Sequence, residues 1–111
     1  MTEFSANATT RLDPIRAHIR ARIEALQQEL PRLSVVEIGR RADALRKLAQ
    51  RHGIVPIPQI ATSLSDAIAR EGRAAIVPAY LQSMLEAVYC DSQEPDAGVR
   101  FLAAVSVRLA G

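Results

Sequence analysis

Tryptophan is absent from this chain, phenylalanine and tyrosine occur twice each, and there is one cysteine. So few rings leave no set of stacking platforms for nucleic-acid bases, and no recognition-helix motif is present. The lone Cys90 excludes an intrachain disulfide and a cysteine metal cluster, and fits a reducing compartment. No apolar run approaches membrane-spanning length, and no basic start followed by an apolar segment marks a signal peptide. The expectation is a soluble, cytoplasmic protein without a membrane partner. Strand signals, internal repeats and a glycine-rich phosphate loop are also missing. Lysine is nearly so: of 14 basic residues, all but Lys47 are arginine.

What is present is alanine, leucine and isoleucine in helical spacing. An apolar share of 49% with 23% charged residues is ordinary for a folded protein and argues against disorder. The 111 residues suffice for one core and not for two. The fold class expected is all-α: an antiparallel four-helix bundle with a fifth helix or helical extension, forming a single domain over residues 11–111. Residues 1–10 carry no periodic pattern and are expected to form a flexible tail.

The first helix is expected to open at Asp13-Pro14, an N-cap acceptor followed by proline at N1, and to stop at Pro31. Ile15, Ile19, Ile23, Leu26 and Leu30 form its apolar stripe, with Arg22 along the rim. Ser34 and Glu37 have capping-box spacing and start a second helix, with Val35, Ile38, Ala42, Leu45 and Ala49 as its seam and Gly53 as its left-handed end. The third seam is Ile57, Ile60, Ala61, Leu64, Ala67 and Ile68, closed by Gly72. A fourth helix carries Val77, Tyr80, Leu81, Met84 and Val88. Pro95 is expected to open a fifth, with Val99, Leu102, Val105, Ser106 and Leu109 facing inward. Short connections between such helices imply antiparallel neighbours.

The second helix contains the stretch "RRADALRKLAQRHG", residues 40–53. It resembles the signature of the histidine phosphotransfer family, the helical-bundle carriers of bacterial phosphorelays: His, any residue, Leu, Lys, Gly, any residue, Ala, then Leu-Gly. Laid on this chain the signature gives Asp43, Ala44, Leu45, Arg46, Lys47, Leu48 and Ala49, then His52-Gly53. The family's apolar positions after that glycine fall on Ile57, Ala61, Leu64 and Ala67, so the resemblance spans roughly residues 35–90. It implies a four-helix bundle; neither a cofactor nor a metal is expected, since no metal-ligand spacing is present. The partner it implies is a response-regulator receiver domain or a sensor histidine kinase.

Two positions depart from the pattern. Phosphotransfer uses an imidazole nitrogen that accepts and releases a phosphoryl group near neutral pH. Asp43 stands there instead, so the expectation is a module without its own phosphoacceptor that acts by binding. Lys47 occupies the place of the small glycine that gives a partner room. Arg40, Asp43, Lys47 and Gln50 recur at steps of three and four on the outer face, and with Arg46 they are the candidate partner-binding residues. Without the family, the same residues read as a solvated, salt-bridged helix face.

His52 is the fallback phosphoacceptor, although its place at a helix C-terminus suits a partly buried structural role. His18 and Cys90 have no catalytic or metal-ligand spacing around them. Charge supports a different class of function: residues 11–51 hold ten basic and five acidic side chains, against four and six in residues 52–111. That gradient fits an arginine-rich nucleic-acid-binding module or an acidic partner. A third alternative is a helical adaptor or homodimer unrelated to signalling.

Overall fold

The structure is a computed structural model that describes the backbone of residues 2–110 and the side chains of residues 14–110. It is all-helical, with no strand among the described residues. Helix α1 spans Thr2–Glu29 and runs into a 3-10 turn at Leu30–Arg32. Helices α2 (Val35–Arg51) and α3 (Pro56–Glu71) follow, then a second 3-10 turn at Ala74–Ile76, α4 (Val77–Ala87) and α5 (Val99–Ala110). The chain packs α2 on α3, α3 on α4 and α4 on α5, while α1 lies against α2 and α4.

The middle three helices form where the apolar spacing puts them. Ile38, Ala42, Leu45 and Ala49 of α2 are buried, as are all six seam residues of α3 and the five expected on α4. Val35 is only half-buried. Ser34 caps α2, its Oγ accepting from the Glu37 N–H at 3.1 Å. The reciprocal half of the capping box is not formed, because the Glu37 carboxylate turns to Arg40 and Arg41 instead. Gly53 (φ 71°) and Gly72 (φ 64°) turn the chain out of α2 and α3 in the left-handed conformation that side chains with a Cβ resist.

The first helix departs from expectation. It does not open at Asp13-Pro14; Pro14 stands inside α1. A proline in a helix removes one hydrogen bond and crowds the preceding turn, which weakens a helix without always ending it. The expected tail, residues 1–10, lies outside the residues described in full. Pro31 acts as expected, and α1 gives way to the 3-10 turn beside it.

Arg16 is the larger surprise. It is three residues before Ile19, in phase with Ile19, Ile23 and Leu26, and is as buried as they are. Its Nη1 donates to the carbonyls of Val88 (2.5 Å) and Cys90 (3.1 Å), and its Nη2 lies 3.3 Å from the Asp91 carboxylate. Helix α4 ends without a glycine and without a basic residue in its last turn. A guanidinium from α1 therefore supplies the donors and positive charge that the carbonyls at its end require.

The fifth helix also differs. Residues 95–98 form a turn, and α5 begins at Val99 rather than at Pro95. Gln59 of α3 holds that turn: its amide donates to the Pro95 carbonyl, and its Oε1 accepts from the Gly98 N–H at 2.5 Å. A Cβ on Gly98 would run into the Gln59 side chain. Of the residues expected to face inward, Val105 is buried and Leu102 half-buried, whereas Val99, Ser106 and Leu109 are exposed. Phe101 takes up the inner face beside Val105. Arg108 fixes the rotation: it donates to Ser83 Oγ at 3.0 Å and pairs with Glu86 at 2.5 Å, while Ser83 donates to the Phe101 carbonyl at 3.1 Å.

Candidate functional site

The candidate residues lie along α2 on the side opposite its buried seam. Because Ile38, Ala42, Leu45 and Ala49 all turn inward, residues 36, 40, 43, 47 and 50 are carried outward by the 3.6-residue repeat. Arg40, Lys47 and Gln50 are exposed, and Asp43 and Arg46 are half-buried beside them.

Four of the five are joined. Asp43 Oδ1 accepts from Arg46 Nε at 3.0 Å and Nη2 at 2.7 Å, and Asp43 Oδ2 lies 3.2 Å from Lys47 Nζ. Arg46 also donates through Nη1 to Gln50 Oε1 at 3.0 Å. The Asp43–Lys47 pair has the expected order, but Arg46 is the closer partner. Arg40 stands apart, pairing with Glu37 at 3.3 Å. Glu37 also meets Arg41, which reaches across to Glu29 of α1 at 2.8 Å.

The hydrogen bonds from Arg46, and then from Lys47, hold the Asp43 carboxyl below the usual carboxylate range. With both oxygens engaged and the charge stabilised, the carboxylate is a weak nucleophile. A carboxyl held low in the folded state stabilises that state above the unfolded carboxyl range, and the contribution disappears as pH falls through the lowered value. Asp43→Asn is therefore expected to lower stability at neutral pH and to leave it unchanged in strong acid. Denaturation curves of both proteins across that range check the sign.

No histidine shares this network. His52 is half-buried at the C-cap of α2, its backbone N–H bonded to the Ala49 carbonyl. It lies nine residues beyond Asp43, about 13 Å along the helix axis. His18 is exposed on α1, and Cys90 is half-buried beyond α4. Among the described residues no three His, Cys, Asp or Glu side chains are grouped to hold a metal ion.

Compared with family models, curated proteins and solved structures, the chain finds no significant match.

The site's geometry adds residues the motif alone passes over. Gly39 lies one turn before Asp43, inside α2, where glycine weakens a helix. Nothing in the fold requires it, since a Cβ there meets no atom within 4 Å. Gly39→Ala is expected to raise stability by about 0.5–1 kcal/mol, read from urea denaturation. An unchanged or lowered midpoint would mean that the glycine serves the fold after all. Exposed Val36 adds an apolar residue to the same face. The sequence signal for both was the helical step from Asp43.

Proposed function

We propose that this protein is a histidine-phosphotransfer-like module of a bacterial two-component phosphorelay. In this reading it lacks a phosphoacceptor and acts by binding a receiver domain or a sensor kinase through the outward face of α2. Helices α1–α4 would then be the family's antiparallel four-helix core and α5 an extension. The uneven burial supports that division: each of α1–α4 sinks a full seam, whereas α5 fully buries only Val105.

The observation that carries the reading is the charge-stabilised Asp43 at the position where the family places its histidine. Arg46 and Lys47 hold a fixed negative charge at the surface, a partial stand-in for phosphohistidine, within a basic rim that complements an acidic receiver site. Open space at Gly39, on the other side of Asp43 from the crowding Lys47, offers a partner backbone room to approach.

A panel of purified receiver domains and kinase dimerisation domains tests this. Lys47→Glu is expected to weaken the responsive interaction about thirtyfold or more, the size of losing an interface anchor. Its melting temperature should change little. Arg100→Glu on exposed α5 is the control; Arg108 cannot serve, because it ties α5 to Ser83 and Glu86. No phosphoryl label should remain on the chain after incubation with a phosphorylated receiver. Label on His52 or His18, or absence of binding across the panel, would overturn the reading.

A second reading rests on α5. Val99 and Val107 are 59% and 72% exposed, Leu109 is exposed too, and Ala103, Ser106 and Ala110 beside them bear no charge. Exposed apolar side chains gathered along one helix mark a surface that a partner covers. This favours the helical adaptor or homodimer, and Val107→Glu would then abolish a concentration-dependent association seen by sedimentation.

A further inference from the structure

On the flank of α2 that faces α1, a cleft of about 340 Å³ opens between the two helices. Its apolar surface comes from exposed Ala25 of α1 and half-buried Ala44 of α2, with Leu26 and Leu45 packed beneath them. Its rim carries three guanidinium groups, Arg22 from α1 and Arg40 and Arg41 from α2, against one carboxylate, Glu37. Glu37 is held by Arg40 at 3.3 Å and Arg41 at 3.6 Å, and Arg41 also pairs with Glu29 just outside the cleft at 2.8 Å, so one guanidinium is in excess. Arg22 is exposed and has no ion-pair partner among the described residues. The basic rim continues along α2 through exposed Lys47 and Arg51, and exposed Val36 lies at its other end.

We propose that this cleft is the groove for an acidic amphipathic helix of a partner protein, seated by its apolar face and held by carboxylates at Arg22, Arg40 and Lys47. The proposal rests on the docking reading of α2 given above and extends the docking surface to α1. Charge complementarity decides the sign of the partner, because guanidinium groups outnumber carboxylates around the opening. The apolar floor decides that the partner brings side chains and not charge alone.

A nucleic acid fits less well. Duplex DNA presents a charge about every 1.7 Å along its axis and would press phosphates on Glu29, Glu37 and Asp43, which interleave with the arginines. The cleft and its rim also lack an aromatic side chain on which a base could stack. A helix spaces its carboxylates one or two turns apart, about 5–11 Å. Arg40 and Lys47, two turns apart on α2, match that spacing.

The test uses two synthetic amphipathic peptides of about 16 residues, long enough to form helix. Both carry leucine and alanine on one face, with glutamate flanks in one peptide and lysine flanks in the other. The glutamate peptide is expected to bind the full chain, shifting the amide resonances of Ala25 and Ala44, and the lysine peptide to bind at least about tenfold more weakly. Arg22→Glu is expected to weaken the glutamate peptide about tenfold or more at unchanged melting temperature. Equal binding of the two peptides, shifts confined to α5, or indifference to Arg22→Glu would overturn the proposal. An oligonucleotide that displaces the peptide, with steep salt dependence, would overturn it in favour of a nucleic-acid partner.

The two functional readings fail separately. Peptide in the cleft without any receiver or kinase binding would remove the signalling assignment and leave the groove. Receiver binding that depends on Lys47 but ignores Arg22→Glu would do the opposite.

Discussion

Arg16→Ala is expected to destabilise the protein by at least about 2 kcal/mol in urea denaturation. The substitution leaves the carbonyls of Val88 and Cys90 without their charged donor. A buried polar group left unpaired costs roughly 1–3 kcal/mol, and the arginine stem also gives up its packing. Asp91 contributes little by comparison, because its side chain is 92% exposed while that of Arg16 is 4% exposed. Asp91→Asn is therefore expected to change stability by less than about 0.5 kcal/mol, the usual size for a surface site. Arg16→Lys should recover part of the loss: an ammonium keeps the charge at the end of α4 but lacks the forked geometry that meets two carbonyls and a carboxylate together. If Arg16→Ala and Asp91→Asn cost the same, the guanidinium is acting as a surface ion pair and not as a cap.

Leu45→Ala is expected to cost roughly 2–5 kcal/mol, the range for truncating a leucine in a packed core. Leu45 is 2% exposed and sits where α2 faces the rest of the hydrophobic cluster, one turn from Ala42 and Ala49. The two alanines cannot swell to fill the space. A loss below about 0.5 kcal/mol would mean that the site collapses or is wet. Leu45→Met, close in volume, is expected to cost less than about 1.5 kcal/mol and separates the loss of packing from the loss of the leucine itself.

The candidate site was legible in the sequence to the extent that one helix carries it. Asp43, Arg46, Lys47 and Gln50 are within two turns of one another, and i to i+3 and i+4 neighbours meet on any α-helix. Which partner Asp43 favours was not legible. Both Arg46 and Lys47 are within reach, and the forked guanidinium places two donors on one oxygen where the ammonium places one. Arg40 shares the face by spacing but is drawn to Glu37, whose carboxylate was expected at the helix cap. Arg22, on the rim of α1 by its spacing, joins Arg40 only through the packing of α1 on α2, since 18 residues and a change of helix separate the two.

The sequence by itself determined the all-helical class, the buried seams of α2, α3 and α4, and the glycine turns after α2 and α3. Those features follow from a period of 3.6 residues and from backbone angles that glycine adopts freely, both of which act over a few neighbouring positions. Only the tertiary structure decided the burial of Arg16 and the rotation of α5. Arg16 occupies a seam position in α1, which periodicity can flag, but its partners lie 72 and 74 residues away and become available only when α1 packs on α4. Helix α5 sets Arg100 and Arg108 on one arc and Val99, Leu102 and Leu109 opposite them, yet Val99 and Leu109 end up exposed while Phe101 and Val105 pack inward. Polar contacts with other elements turn it: Arg108 meets Ser83 and Glu86 of α4, and Gln59 of α3 clasps the turn before it. Hydrogen bonds that must be satisfied override a helix's own apolar pattern in setting its orientation.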